Sequence, residues 1–110
     1  MQKKLLIADD SELNRAILVN MLEHDFETIE VSDGKEAISA LESYQGKIAP
    51  LLLDVVMPEM GGFEVLTEMN RRHWIENVPP IMISAETSST YIDRSFQLGA
   101  SDYISRPFVP

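Results

Sequence analysis

The chain contains no cysteine, which excludes disulfide bonds and thiolate metal sites and favours a reducing compartment such as the cytoplasm. No apolar run approaches the roughly 18 residues that a membrane-spanning helix needs. The apolar stretch after Lys3 and Lys4 ends at Asp9 and Asp10, so it is too short for the core of a signal peptide and predicts a first strand. Positive charge is also scarce, with 9 basic against 18 acidic residues and a formal net charge of −9. We therefore expect no direct contact with nucleic acid or with a membrane.

Strand and helix signals alternate along the 110 residues, which suffice for one domain with a single core. Short apolar segments predict strands at residues 4–8, 28–31, 51–53, 81–83 and 103–104. Helices are predicted between them, the first behind a cap at Asp10 or Ser11 and the second behind a capping-box spacing from Asp33 to Glu36. Because the predicted strands are apolar on both faces, we expect a doubly wound parallel α/β sheet with helices on each side.

The predicted sheet lacks its last helix. Only residues 107–110 follow the fifth predicted strand, and these are too few to form one. We expect an apolar patch to be left bare on one face, of the kind that binds a partner. The simplest interpretation is that residues 1–110 form one domain, cut from a longer protein just after the fifth strand.

An acid ends the most apolar strand. Asp54 directly follows three leucines at residues 51–53, and a proline and two glycines then turn the chain. Burying a carboxylate is costly unless a cation or hydrogen bonds compensate for the lost solvation. Open α/β sheets bind their ligands at the carboxyl ends of the strands. Asp54 is therefore the first candidate for a functional residue.

Polar groups also follow three other predicted strands. Asp9 and Asp10 follow the first, Ser84 the fourth and Arg106 the fifth, and parallel strands gather these ends at one edge. Carboxylates brought together there repel one another, and Mg²⁺ relieves such repulsion by binding carboxylate oxygens and water. A carboxylate can itself attack a phosphoryl group. The residues thus predict a Mg²⁺ site beside a reactive acid, with Ser84 and Arg106 available for positioning and charge neutralisation.

These residues resemble those of the receiver domains of two-component response regulators. The resemblance covers nearly the whole chain and implies a flavodoxin-like sheet with strand order 2-1-3-4-5 in a cytoplasmic signalling protein. It rests on Asp9-Asp10, on Asp54 followed by Met57-Pro58, on Ser84-Ala85, and on Asp102-Tyr103 leading to Arg106-Pro107-Phe108.

By this resemblance Asp54 is the phosphoacceptor, and Mg²⁺ is held by Asp9, Asp10, Asp54 and the backbone carbonyl of Val56. The donor is the phosphohistidine of a sensor histidine kinase or a phosphotransfer protein. The output belongs to a missing C-terminal domain or a partner protein, and a homodimer is possible. The chemistry is self-phosphorylation and self-dephosphorylation rather than turnover, since Val56 stands where acid-nucleophile phosphatases usually carry a second acid.

The resemblance also assigns a conformational switch. Ser84 is the hydroxyl that turns toward the phosphoryl group, and Tyr103 is the aromatic side chain that rotates inward with it. Val56 and Glu86 tune the loss of the phosphoryl group to water. A cis peptide bond before Pro107 is a frequent feature of the family.

Two positions depart from the family pattern. Arg106 stands where a lysine is usual, and Gly61 stands where an aspartate is common. Arginine keeps the charge and can fork onto phosphate, but it does not replace the point charge of lysine. The alternative interpretation is therefore a pseudo-receiver, a constitutive interaction or dimerisation module whose switch Arg106 disables. For Tyr103 a plain packing role is a further alternative.

Overall fold

The computed structural model of the protein describes residues 3–85 and 88–106. Strands and helices alternate along this part of the chain, as the sequence predicts. In chain order the elements are β1 (Lys4–Ala8), α1 (Glu12–Leu22), β2 (Thr28–Val31), α2 (Gly34–Ser43), β3 (Ile48–Asp54), α3 (Gly62–Arg71), a 3-10 turn (Trp74–Glu76), β4 (Pro80–Ser84), α4 (Ser89–Gln97) and β5 (Asp102–Ser105).

The five strands form one parallel sheet in the order β2-β1-β3-β4-β5. This confirms the predicted flavodoxin-like, doubly wound α/β fold. In the central ladders Ala8 lies opposite Leu53, and Asp54 lies opposite Ile83. The register therefore brings the carboxyl ends of β1, β3 and β4 to one level. Asp9 and Asp10 follow β1 at this level, and Asp54 ends β3 there.

Three helices begin at polar caps that the sequence indicates. The side chain of Ser11 accepts a hydrogen bond from the backbone N–H of Asn14, and Asp33 accepts one from that of Glu36. Ser88 caps α4 in the same way. These caps satisfy N–H groups that the first helical turn leaves without a partner. The first of these caps, Ser11, directly follows Asp9 and Asp10.

Three local features differ from the sequence prediction. β3 begins at Ile48 instead of Leu51, and Pro50 lies where the β1–β3 register shifts, a position at which a strand tolerates proline. The 3-10 turn at Trp74–Glu76 has no periodic signal in the sequence. The edge strands β2 and β5 are not buried on both faces, and Ile104 in β5 is 42 % exposed.

Alternate strand residues divide the core into two layers. One layer packs against α2 and α3, with Leu6, Leu51, Leu53 and Met82 among its fully buried members. The other packs against α1 and contains Leu5, Ile7, Leu18, Leu52 and Ile83. Beside α1 the described residues leave an apolar groove of about 520 Å³ that reaches across the sheet to Ile104 and Ser105. That a missing last helix leaves this face bare stays a prediction.

Candidate functional site

The carboxyl edge of the sheet collects the acids that the sequence singles out. Carboxylate oxygens of Asp9, Asp10 and Asp54 all lie within 4.8 Å of one another. Asp9 and Asp54 are 0 % and 1 % exposed, whereas Asp10 is open to solvent. Two buried acids and one exposed acid thus form a single pocket at the ends of β1 and β3.

Asp9 is held by the backbone on both sides. Its N–H donates to the carbonyl oxygen of Val31 over 3.1 Å, and its Oδ1 accepts from the N–H of Ser11 at 2.9 Å. Its Oδ2 is buried and receives no hydrogen bond from residues 3–85 or 88–106. A buried carboxylate oxygen without a hydrogen bond is costly, so this atom fits a site that receives a cation.

Asp54 faces the guanidinium of Arg106. Arg106 Nη2 lies 2.7 Å from Asp54 Oδ2 and 3.9 Å from Asp9 Oδ2. The N–H of Val56 makes a long contact of 3.4 Å with Asp54 Oδ1. Arg106 is itself anchored, since its backbone N–H donates to the carbonyl of Ser84 at 2.8 Å. The guanidinium of Arg106, which directly follows β5, therefore lies in the acid pocket, as the strand order leads one to expect.

The charge state of Asp54 follows from these neighbours. Burial raises the pKa of Asp54, the nearby Asp9 raises it further, and the hydrogen bond and charge of Arg106 lower it, with a net result of about 6. One guanidinium therefore compensates the pocket only in part. Three carboxylates and one guanidinium leave two negative charges, which one divalent cation would neutralise.

These residues fit a Mg²⁺ ion. The group offers two buried carboxylates and one solvent-exposed carboxylate, and within the described chain the Oδ2 atom of Asp9 lacks a hydrogen bond. Hard oxygen ligands with access to water are what Mg²⁺ prefers in proteins. The pocket would hold the ion through Asp9, Asp10 and Asp54.

Glycine at the start of α3 lets the helix approach the acid. A Cβ added to Gly62 would lie 2.3 Å from the carbonyl oxygen of Asp54, and the N–H of Gly62 donates to the carbonyl of Val55. Gly34 meets a neighbouring loop as closely, since a Cβ added there would lie 2.2 Å from the carbonyl oxygen of Met60. The sequence pattern predicts a turn at Gly62 and gives no sign of these contacts, because they depend on how closely α2 and α3 pack against the loops.

Two of the other candidate residues, Ser84 and Val56, lie at the same edge, and Tyr103 lies two residues before the end of β5. Ser84 is buried at the end of β4, Tyr103 is half-buried in β5 against the core, and Val56 is 61 % exposed, two residues after Asp54. Glu86 and the segment from Pro107, including the predicted cis bond, lie outside the described residues. The structure thus places Ser84 and Val56 near Asp54 in the chain fold and assigns no geometry to Glu86.

Comparison with known proteins identifies the family. The family model of the response regulator receiver domain matches residues 5–110. The chain belongs to the response regulator receiver domain family. The transcriptional regulatory protein SrrA of Staphylococcus aureus is 38 % identical over 111 residues, an alignment that covers 100 % of this chain and 44 % of SrrA. The chain therefore spans less than half the length of the curated relatives it matches.

Solved structures agree with this assignment. The chemotaxis protein CheY4 of Vibrio cholerae superposes with a TM-score of 0.88 at 26 % identity, covering 100 % of this chain and 91 % of that one. CheY in a complex with CheX, BeF₃ and Mg²⁺ from Borrelia burgdorferi gives a TM-score of 0.85 at 28 % identity, covering 97 % of this receiver domain and 80 % of the compared chain. Across residues 3–85 and 88–106, each helix of the receiver domain is too short or too polar to cross a bilayer.

Proposed function

We propose that Asp54 accepts a phosphoryl group from the phosphohistidine of a sensor histidine kinase or a phosphotransfer protein. The observation that carries this proposal is the triad of carboxylates within 4.8 Å, with Asp54 buried and paired to a guanidinium. An oxygen of Asp54 forms a bond to phosphorus while the N–P bond of the donor breaks. The imidazole nitrogen keeps the bonding electron pair and takes up a proton, and an acyl phosphate remains on Asp54.

Each residue of the pocket has a part in this transfer. Mg²⁺ supplies charge neutralisation for the phosphoryl oxygens when it is bound. Asp9 and Asp10, together with Asp54 and the backbone carbonyl of Val56, are the groups that would hold it. Arg106 balances the charge that the transfer brings into a buried site.

The switch is the next step of the proposal. The hydroxyl of Ser84 engages the phosphoryl group, and Tyr103 follows it inward and changes the surface around α4 and β5. Water then removes the phosphoryl group at a rate that Val56 and Glu86 influence. The apolar side chain of Val56 offers no general acid, so the domain undergoes self-phosphorylation and self-dephosphorylation rather than enzymatic turnover.

The output is proposed to lie outside residues 1–110. The groove beside α1 is apolar and about 520 Å³ in volume, and we propose that a further helix of a longer protein, or a partner protein, covers it. SrrA is a transcriptional regulatory protein. We propose that this domain likewise belongs to a cytoplasmic response regulator, with a homodimer as one form of that protein.

Phosphorylation is tested on the full-length protein with acetyl phosphate or phosphoramidate in Mg²⁺. Intact-mass spectrometry should show the gain of one phosphoryl group, which Asp54→Asn abolishes and EDTA suppresses. Asp93→Asn is the matched control, because it removes an exposed carboxylate of α4 away from the pocket. A gain that persists in Asp54→Asn, or no gain in the wild-type protein, would contradict the proposal.

A pseudo-receiver is the second candidate, favoured by one observation. Arg106 already binds the acceptor carboxylate at 2.7 Å, and a guanidinium is bulkier and forks its donors where lysine offers a point charge. The domain would then act as a constitutive interaction or dimerisation module. Nuclear magnetic resonance with beryllofluoride and Mg²⁺ separates the two: shifts at Ser84 and Tyr103 support the switch, and unchanged resonances with unchanged partner affinity support the module.

A further inference from the structure

Arg15 connects three elements beside the acid pocket. Its Nη1 donates to the backbone carbonyl oxygen of Asp9 at 2.6 Å, and its Nε donates to Glu30 Oε1 at 3.2 Å. Its side chain is 16 % exposed. A residue one turn into α1 thereby joins the end of β1 to an edge strand, β2.

The carbonyl that Arg15 binds lies just beyond the paired part of β1. The ladders of β1 end at Ala8, opposite Val31 on one side and Leu53 on the other. Asp9 still donates its N–H to Val31, but its carbonyl has passed the last strand pair. A guanidinium gives this oxygen a charge-assisted hydrogen bond, which is stronger than a bond between neutral groups.

That carbonyl belongs to the peptide bond between Asp9 and Asp10. A hydrogen bond to its oxygen restrains the plane of the peptide that joins the two acids, and so restrains the backbone from which both side chains project. The N–H of Ser11 restrains Oδ1 of Asp9 from the other side. Glu30 restrains the guanidinium and offsets its charge.

We propose that Arg15 is a positioning residue for the divalent cation. It presents Asp9 and Asp10 in the orientation that binds Mg²⁺, and Glu30 keeps it in place. This inference rests on the metal site of the proposed function. It adds a residue that touches neither the ion nor the phosphoryl group and acts through the backbone of the two acids, as groups behind metal ligands commonly do.

Electrostatics alone predicts the opposite effect. A guanidinium close to a cation site repels the cation, so removing its charge should tighten Mg²⁺ binding. Positioning predicts weaker binding when the hydrogen bond to the Asp9 carbonyl is lost, whether or not the charge remains. Arg15→Gln removes the charge, and Arg15→Lys keeps it while losing the guanidinium that reaches the carbonyl and Glu30 together.

The test is the dissociation constant of Mg²⁺, measured by isothermal titration calorimetry on the full-length protein. Positioning predicts that Arg15→Gln and Arg15→Lys both raise the dissociation constant, by about tenfold, and that Glu30→Gln raises it in the same direction. The matched control is Lys4→Gln. Lys4 pairs with Glu27 at the opposite end of β1 from the acids, so this variant removes one paired positive charge away from the pocket and should bind Mg²⁺ as the wild type does.

Other outcomes overturn the inference in distinguishable ways. Tighter binding by Arg15→Gln with unchanged binding by Arg15→Lys assigns the effect of Arg15 to its charge. Equal binding by all variants shows that the loop orients itself. Asp10→Asn and Asp54→Asn should abolish the Mg²⁺ binding of the wild type. If the wild type does not bind Mg²⁺, or binds it equally well after these substitutions, the proposed metal site is wrong and so is this inference. Circular dichroism checks that each variant is folded. If Arg15→Gln does not fold, the Mg²⁺ affinity of Arg15→Lys alone decides between positioning and charge.

Discussion

Asp54→Asn tests whether the buried carboxylate of Asp54 destabilises the metal-free fold. Asp54 is 1 % exposed, and its pKa rises from 3.8 to about 6 because burial and Asp9 outweigh the opposing effect of Arg106. A carboxyl group with a raised pKa in the folded chain binds its proton more tightly there than in the unfolded chain. Its contribution to stability is complete below the unfolded pKa and is lost as the pH rises through the folded pKa.

The magnitude follows from the two pKa values. Full ionisation of a group shifted from 3.8 to about 6 lowers the free energy of unfolding by about 3 kcal/mol. About half of this loss develops between about pH 5 and about pH 8. Asparagine has nearly the shape of the protonated acid and does not ionise. The variant should therefore exceed the wild type in stability by an amount that grows with pH toward about 3 kcal/mol, and Mg²⁺ should stabilise only the wild type appreciably.

Urea unfolding in EDTA measures the difference across this pH range. The fluorescence of Trp74, the single tryptophan among the 110 residues, reports the transition. Asp93→Asn measures the effect of removing one exposed negative charge, and its pH profile is subtracted. A stability difference that stays constant with pH, or an Asp54→Asn variant less stable than the wild type at about pH 8, would refute the reasoning.

Three further perturbations test the core, the approach of α3 and the role of Arg106. Leu53→Ala leaves a cavity at a fully buried site and should lower the free energy of unfolding by about 2–5 kcal/mol. Leu13→Ala, at a 70 % exposed position, should change the free energy of unfolding by less than about 0.5 kcal/mol. Equal losses of stability in urea titrations of the two variants would contradict the core assignment. Gly62→Ala should lower the free energy of unfolding by about 1–3 kcal/mol, which is more than Gly61→Ala should. A Cβ at residue 62 would lie 2.3 Å from the carbonyl oxygen of Asp54, whereas one at residue 61 would lie 3.1 Å from that of Val55. Thermal melts of both variants check this order. Arg106→Gln should raise the pKa of Asp54 further above about 6, since Arg106 lowers it; a carboxyl ¹³C titration without metal that shows no rise would count against this pairing.

Much of the fold is predictable because its signals are local. The central strands are short apolar runs, whereas β2 and β5 mix apolar with polar residues. The caps at Ser11, Asp33 and Ser88 each lie immediately before their helices. Parallel pairing then places the carboxyl ends of the strands at the same edge of the sheet, and the strand order, which the family resemblance implies, puts β1 beside β3. For this reason Asp9, Asp10 and Asp54 are predictable as one pocket although the third lies far from the first two in the sequence.

The supporting contacts are less predictable, because they join residues whose chain positions carry no shared pattern. Nothing in the sequence pairs Arg15 with the carbonyl of Asp9, and nothing distinguishes Gly34 and Gly62 from ordinary turn residues. Their roles depend on close approaches set by the packing of α1, α2 and α3. The one available signal for Arg15 is its place four residues after the Ser11 cap, where the helix turns a side chain back over its own N-terminus.

Arg106 determines how the pocket is connected to the rest of the sheet. Its side chain holds Asp54 at the end of β3, and its backbone N–H holds the carbonyl of Ser84 at the end of β4. It also directly follows β5, the strand that contains Tyr103. The guanidinium contacts Oδ2 of Asp54, so a group added to that oxygen would displace it, and a phosphoryl group added to Oδ1 would bring new negative charge close to it. Arg106 is thus the contact through which a change at Asp54 would reach the ends of β4 and β5. Under the proposed function these strand ends relax with Arg106 as a switch, and in the pseudo-receiver they keep their positions.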